Sequence, residues 1–121
     1  MGKERYRAKV ISIGEYAKDF IECGIVVLFG KSAPDELKEH AIIHENNGLS
    51  EDVRKGDTVW IDDKPFPILA VGKVANTNLG NLGHLVLKFN GLNEPEMDGD
   101  VNVPEVPIPE IAVGTLFKIV E

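Results

Sequence analysis

Short segments of alternating apolar and polar residues run through much of this chain. Residues 85–89 (LVLKF) and 57–62 (DTVWID) alternate with a period of two. That period places alternate side chains on one face of a sheet, so both segments are predicted to be half-buried strands. Residues 24–30 (GIVVLFG) are apolar between two glycines, which is typical of a strand buried on both faces.

The remaining segments predict further short strands and one helix. Residues 32–39 (SAPDELKE) favour a helix, with Ser32 as its N-cap, Pro34 in the first turn and acidic residues near its positive end. Residues 93–109 hold four of the seven prolines and are predicted to be an extended connection. The other predicted strands are rich in β-branched residues and cover 7–14, 41–45, 67–75 and 115–120.

A glycine turn precedes two of the predicted strands at the same spacing. Gly56 leads into residues 57–62, and Gly114 leads into residues 115–120. Small barrels use such glycine turns repeatedly. Six or seven short strands with regular turns and one short helix predict an all-β fold, a barrel or a sandwich, in one domain over residues 1–121.

Composition narrows the classes of function. The chain has 13 basic and 20 acidic residues and a net charge of −7, which disfavours binding to nucleic acid phosphates. The longest apolar run, residues 24–30, is far shorter than the ~20 residues that cross a membrane. The N-terminus has no apolar signal segment. The single cysteine, Cys23, excludes an internal disulfide and is predicted to be a small buried hydrophobe. We therefore predict a cytoplasmic protein without membrane insertion.

Common catalytic motifs do not occur in the chain. There is no P-loop, no dinucleotide fingerprint and no nucleophile elbow. His40 and His44 have the four-residue spacing of zinc ligands on a helix, but Ile42 and Ile43 between them favour a strand. We predict no metal site and interpret His40 as a residue near the negative end of the predicted helix.

His44 and His84 are the strongest candidates for chemistry. His44 ends an apolar run and is followed by Glu45 and by Asn46, Asn47 and Gly48, which we predict form a turn that exposes the imidazole. Gly48 would let backbone N–H groups face an anion. His84 begins HLVLKF, on the strand face opposite the alternating apolar residues. On the residues alone, either histidine could equally be a structural one with an ordinary hydrogen bond.

Four blocks of the sequence resemble the glucitol/sorbitol-specific enzyme IIA component of the bacterial phosphotransferase system. They are AIIHENNG, RKGDTVWI, FPILAVGKVANTNLGNLGHLVLKFNGLNEP and IAVGTLFKIVE. The resemblance covers almost the full length, and residues 65–95 are its most specific part. It implies that the fold is a small closed β-barrel.

The resemblance also implies a role as a phosphoryl carrier. His44 stands at the position of the family's phosphoryl-accepting histidine. The protein would take phosphate from phospho-HPr and pass it to a cysteine of the IIB component, which phosphorylates the polyol entering through the IIC permease. His84 would be a supporting donor, and Asn46, Asn47 and Gly48 would stabilise the phosphoryl group. No metal or other cofactor is implied.

Two alternatives from other classes stay open. The chain could be a non-catalytic β-barrel module that binds a ligand or scaffolds an assembly, with His44 as an ordinary residue. It could also be a metal-dependent hydrolase that uses His40, His44 and His84. Mass analysis after incubation with a phosphoryl donor, and metal analysis, discriminate among the three.

Overall fold

A computed structural model describes residues 2–121, which form one nine-stranded sheet and three short helices. In chain order the elements are β1 Glu4–Ile13, α1 Ala17–Glu22, β2 Ile25–Gly30, α2 Asp35–Lys38, β3 Ile42–Asn46, β4 Thr58–Ile61, β5 Lys64–Pro67, β6 Ala70–Val71, α3 Ala75–Leu82, β7 Leu85–Phe89, β8 Asp100–Val103 and β9 Leu116–Val120.

The strand order makes the sheet curl on itself. The order is β5-β4-β9-β1-β3-β2-β7-β8-β6, so the two edge strands, β5 and β6, are consecutive in the chain. Only Ile68 and Leu69 separate them, and their amides donate to the carbonyls of Asp57, beside β4, and Asn102, in β8. The two ends of the sheet are therefore held close together. The prediction of an all-β, barrel-like fold is confirmed.

The two alternating segments and the glycine turns also match their predictions. Residues 57–62 contain β4, and residues 85–89 are β7. Gly56 and Gly114 have φ angles of +93° and +96°, which only glycine adopts without strain. The strands they precede, β4 and β9, are antiparallel neighbours.

Other predictions differ from the structure. The sheet has nine strands within residues 2–121, because β5 lies largely before the predicted run 67–75 and the supposed connection 93–109 contains β8; that predicted run itself contains only the end of β5, β6 and the start of α3. The predicted helix at 32–39 is shorter: α2 has Pro34 at its N-cap and no side-chain cap. Two helices, α1 and α3, were not predicted. Cys23 follows α1 and is exposed, so the prediction that it is buried is wrong.

Helix α3 has a sequence that gives little local signal. Its eight residues, ANTNLGNL, include three asparagines, a threonine and a glycine, all of which are poor helix formers. It is stabilised by tertiary contacts instead, because Ala75 and Leu79 are buried in the main core.

Alternate residues of the strands build two hydrophobic clusters on opposite faces of the sheet. The main core contains Ile42 of β3, whereas Ile43 packs with Phe29 in a smaller cluster. We call the face toward the main core the inner face and the other the outer face. The alternation of β3 therefore directs the side chain of His44 toward the inner face, together with that of Ile42.

The segment 47–57 is fastened to α3 and to β1. Both amide atoms of Asn76 bond the backbone of Val53: Oδ1 accepts from its N–H at 2.7 Å, and Nδ2 donates to its carbonyl at 3.0 Å. On the other side, buried Arg5 pairs with Asp57 at 2.8 Å and Glu51 at 2.7 Å. These contacts hold the segment against both α3 and β1.

We predict that Asn76→Ala lowers the free energy of unfolding by roughly 1–3 kcal/mol, because the peptide groups of Val53 lose both partners. The matched control is Asn81→Ala in the same helix, since Asn81 is exposed and alanine is the better helix former. Urea unfolding of the two variants and wild type measures the difference. Equal losses in both variants would contradict this role of Asn76.

Candidate functional site

His44 is completely buried at the end of the inner face. It lies on β3 between Val10 of β1 and Gly30 of β2, and its exposed fraction is 0%. The prediction that the following turn exposes the ring is therefore wrong. The period of two in the strand decides the direction of the side chain, and it points into the core.

The C-terminal end of α3 holds one side of the His44 ring. Nε2 donates to the carbonyl oxygen of Gly83 at 2.8 Å. Gly83 ends α3 in the left-handed conformation, with φ +63°, and its own N–H bonds the carbonyl of Leu79 at 3.0 Å. A Cβ atom at position 83 would lie only 2.9 Å from Cε1 of His44. Both the backbone angle and the space therefore require glycine here.

This bond determines the tautomer of His44. A carbonyl oxygen only accepts, so the proton lies on Nε2 and the lone pair lies on Nδ1. Nδ1 is buried and has no hydrogen-bond partner in the protein. Burial lowers the pKa of His44, and the bond to Gly83 opposes this only in part. The ring is therefore neutral at pH 7 and carries an unused lone pair.

Tyr6 of β1 is the aromatic neighbour of His44. The two rings meet edge to face, with centroids 5.9 Å apart and an interplanar angle of 89°. Tyr6 is buried, and this burial raises the pKa of its hydroxyl, which stays protonated. Neither Tyr6 nor Gly83 was predicted from the sequence to belong to the site. Gly83 could have been noticed because it directly precedes the candidate His84. Tyr6 could not, because it reaches the site through the pairing of β1 with β3, which nothing in the sequence indicates.

The last residue of β3, Asn46, contributes its side-chain amide to the site. Asn46 Oδ1 accepts from the N–H of Gly48 at 2.8 Å, so the predicted donor at Gly48 is already used. The other amide atom, Asn46 Nδ2, lies near Gly83, where a Cβ atom would be 3.1 Å from it. Asn46 therefore borders the His44 ring, although it is an exposed residue, as are Asn47 and Gly48.

His84 is close to the site in its backbone but not in its ring. Gly83, the residue before it, bonds His44. The His84 ring stacks on Phe29 of the outer cluster with centroids 4.4 Å apart, and Nδ1 donates to the carbonyl of Leu28 at 3.1 Å. The two imidazoles therefore lie on opposite faces of the sheet.

The third histidine has a separate environment. His40 is exposed and lies against Tyr16 and Phe20, with ring centroid distances of 5.4 and 6.1 Å.

Within residues 2–121, no three histidine, cysteine, aspartate or glutamate side chains are grouped as metal ligands would be. None of the helices described in this range has the length and apolar character needed to cross a bilayer.

Comparison with known proteins identifies the family. Residues 5–118 match the family model of the PTS system glucitol/sorbitol-specific IIA component. The glucitol/sorbitol-specific EIIA components of Shigella flexneri and Escherichia coli (strain K12) are each 36% identical to this chain over 114 residues, which cover 93% of it and 92% of each relative.

A solved structure supports the same assignment. The crystal structure of a PTS system IIA component from Enterococcus faecalis V583 superposes with a TM-score of 0.78 at 30% identity, covering 92% of this chain and 96% of that one. The chain belongs to the glucitol/sorbitol-specific IIA component family of the phosphotransferase system.

Proposed function

We propose that this protein is a cytoplasmic phosphoryl carrier that uses His44. It accepts phosphate from phospho-HPr and passes it to the IIB component, which serves the IIC permease in glucitol/sorbitol uptake. Family membership supports the phosphotransferase system. The observation that supports His44 itself is its neutral imidazole, held through Nε2 by Gly83 and left with an unused lone pair on Nδ1.

The transfer step needs no proton movement at His44. The lone pair on Nδ1 attacks phosphorus, and the bond from phosphorus to its leaving group on the donor breaks, with its electron pair going to that group. The ring becomes positively charged, and the Nε2–H bond to the carbonyl of Gly83 strengthens as it does so. In the onward step a cysteine thiolate of IIB attacks, and the electrons of the N–P bond return to Nδ1.

Neutral donors are proposed to stabilise the phosphoryl oxygens. Asn46 Nδ2 is the best placed, because it borders the His44 ring near Gly83. Asn47, Gly48 and His84 stay predicted as supporting donors. For Gly48 and His84 that role requires an exchange of their present hydrogen-bond partners, Asn46 and Leu28.

Access to His44 requires a local movement of the protein. The side chain has no exposed surface, and the carbonyl of Gly83 covers it at the end of α3. The helix is short and five of its eight residues are poor helix formers, so we expect it to open more readily than the strands around His44. We infer that the last turn of α3, residues 79–82, moves away from His44 before the donor reaches it, while Gly83 beyond it keeps its bond to Nε2.

We predict that Gly80→Ala slows phosphorylation by roughly two- to fivefold, because alanine stabilises a helix interior by ~0.5–1 kcal/mol relative to glycine. An added Cβ would meet only Leu49, at 3.8 Å, so the residue fits the closed form. The rate of labelling from phospho-HPr measures the effect, and amide exchange reports α3 opening.

The matched control for Gly80→Ala is Glu22→Ala, which favours the distant helix α1. It should be labelled at the wild-type rate. Slower amide exchange in α3 of Gly80→Ala with an unchanged labelling rate would show that opening of this helix does not limit access.

We predict that His44→Gln acquires no phosphoryl group when it is incubated with phosphoenolpyruvate, enzyme I and HPr. Glutamine keeps an N–H for the carbonyl of Gly83 but has no nucleophilic nitrogen, so the fold should be retained. Mass spectrometry measures the gain of one phosphoryl group, and circular dichroism checks the fold. His40→Gln, at the exposed histidine, is the control that should be labelled like wild type.

The remaining variants and the chemistry of the label separate the alternatives. His84→Ala should be phosphorylated to the same final extent as wild type, but more slowly.

The phosphoryl label should survive dilute base and be lost in warm dilute acid, because protonated imidazole is a good leaving group. Folded His44→Gln that is fully labelled, or acid-stable label, would refute the assignment. No labelling of wild type would favour the non-catalytic binding module.

We predict that His44 makes the protein less stable in acid. Burial lowers its pKa in the folded state, so between that pKa and the ordinary value near 6.5 the unfolded chain binds more protons. The free energy of unfolding is therefore highest above this window and falls as the pH drops through it. Urea unfolding between pH 5 and 8 should show that the free energy of unfolding falls less in His44→Gln than in wild type. An identical fall in both proteins would contradict this role of His44.

A further inference from the structure

Two polar atoms on neighbouring rings lack partners in the interior. Among the buried side-chain nitrogen and oxygen atoms of residues 2–121, only the hydroxyl of Tyr6 and Nδ1 of His44 have no hydrogen bond in the protein. They belong to the two rings that meet edge to face at 5.9 Å. One atom is a donor, the other an acceptor, and they bond neither each other nor anything else in the protein.

Such a pair is unfavourable in a structure that serves stability alone. A buried polar group without a partner loses its hydrogen bonds to water and gains none in return. Phenylalanine at position 6 would preserve the packing without this penalty. The retention of two unpartnered atoms on adjacent rings therefore points to a group that occupies both of them during function.

A phosphoryl group on His44 meets this requirement. Bonded to Nδ1, it uses the lone pair and presents three oxygen acceptors beside the Tyr6 ring. We propose that Tyr6 is a catalytic residue whose hydroxyl donates a hydrogen bond to the phosphoryl group carried by His44. The inference rests on the function proposed above and extends it to a residue on another strand.

The hydroxyl acts as a fixed donor and not as an acid. The transfer between the donor and Nδ1 needs no proton, so the O–H bond of Tyr6 stays intact throughout. Burial of Tyr6 keeps it protonated and shields the new hydrogen bond from water, which strengthens it. Its energetic effect appears only when charge develops on the phosphoryl oxygens.

The test compares the two tyrosines of the chain. Tyr6→Phe should lower the rate of labelling from phospho-HPr by about 10²–10³-fold, the usual effect of removing one such donor. Its labelling should still reach the full end point, and its urea midpoint should stay equal or rise, because the unpartnered hydroxyl is gone. Tyr16→Phe, at the exposed tyrosine, should match wild type in all three measurements.

Further readouts distinguish a catalytic hydroxyl from a structural one. The pKa of His44, followed by NMR, should be the same in Tyr6→Phe and wild type, which shows that the imidazole has kept its environment. With fluorotyrosine in both positions, the fluorine signal of Tyr6 should shift on phosphorylation while that of Tyr16 stays fixed.

The outcomes separate this proposal from the function on which it rests. If wild-type protein is labelled and Tyr6→Phe is labelled at the same rate, the role of Tyr6 alone is overturned. A fluorine signal of Tyr6 that does not shift on phosphorylation would overturn it as well. A slow Tyr6→Phe in which the pKa of His44 has also changed would make Tyr6 a structural residue. Absence of label on wild-type protein would overturn both.

Discussion

The hydrogen bond from His44 Nε2 to the carbonyl of Gly83 is the interaction on which the site depends. It joins β3 to the end of α3, sets the tautomer of the imidazole and leaves the lone pair on Nδ1. It forms only because Gly83 adopts the left-handed conformation and has no Cβ atom to displace the ring. The clamp between Asn76 and Val53 supports it indirectly, by holding α3 and the segment 47–57 together.

Burial gives His44 two properties that conflict. It keeps the imidazole neutral, since the charged form is poorly solvated in the core, and a neutral imidazole is the nucleophilic form. It also removes the ring from any partner protein. The opening proposed for the last turn of α3 would resolve the conflict, because the closed state protects the ring and a segment of weak intrinsic helicity would open at modest energy. The poor helix formers of α3 are thus consistent with the proposed carrier role.

The predictable parts of the structure were those that depend on local patterning. Residues 57–62 and 85–89 alternate, and the glycine turns at Gly56 and Gly114 need only their own backbone angles. Helix α3 was missed because its local propensities oppose it and its stability comes from burying Leu79. The direction of His44 was predictable in principle, since a period of two places it on the same face as Ile42. The approach of Tyr6 was not, because it depends on β1 pairing with β3.

The charges around His44 fit a carrier that must release what it binds. Arg5 of β1 is paired with Asp57, and Lys31, which follows Gly30, is paired with Glu45. The groups proposed to contact the phosphoryl group are neutral: the Asn46 amide and the Tyr6 hydroxyl. A free guanidinium or ammonium would bind the dianion through charge-assisted bonds that are about twice as strong. Such a site would retain phosphate. In the proposed carrier, neutral donors would stabilise the transfer while leaving the phosphohistidine free enough to react with the next partner.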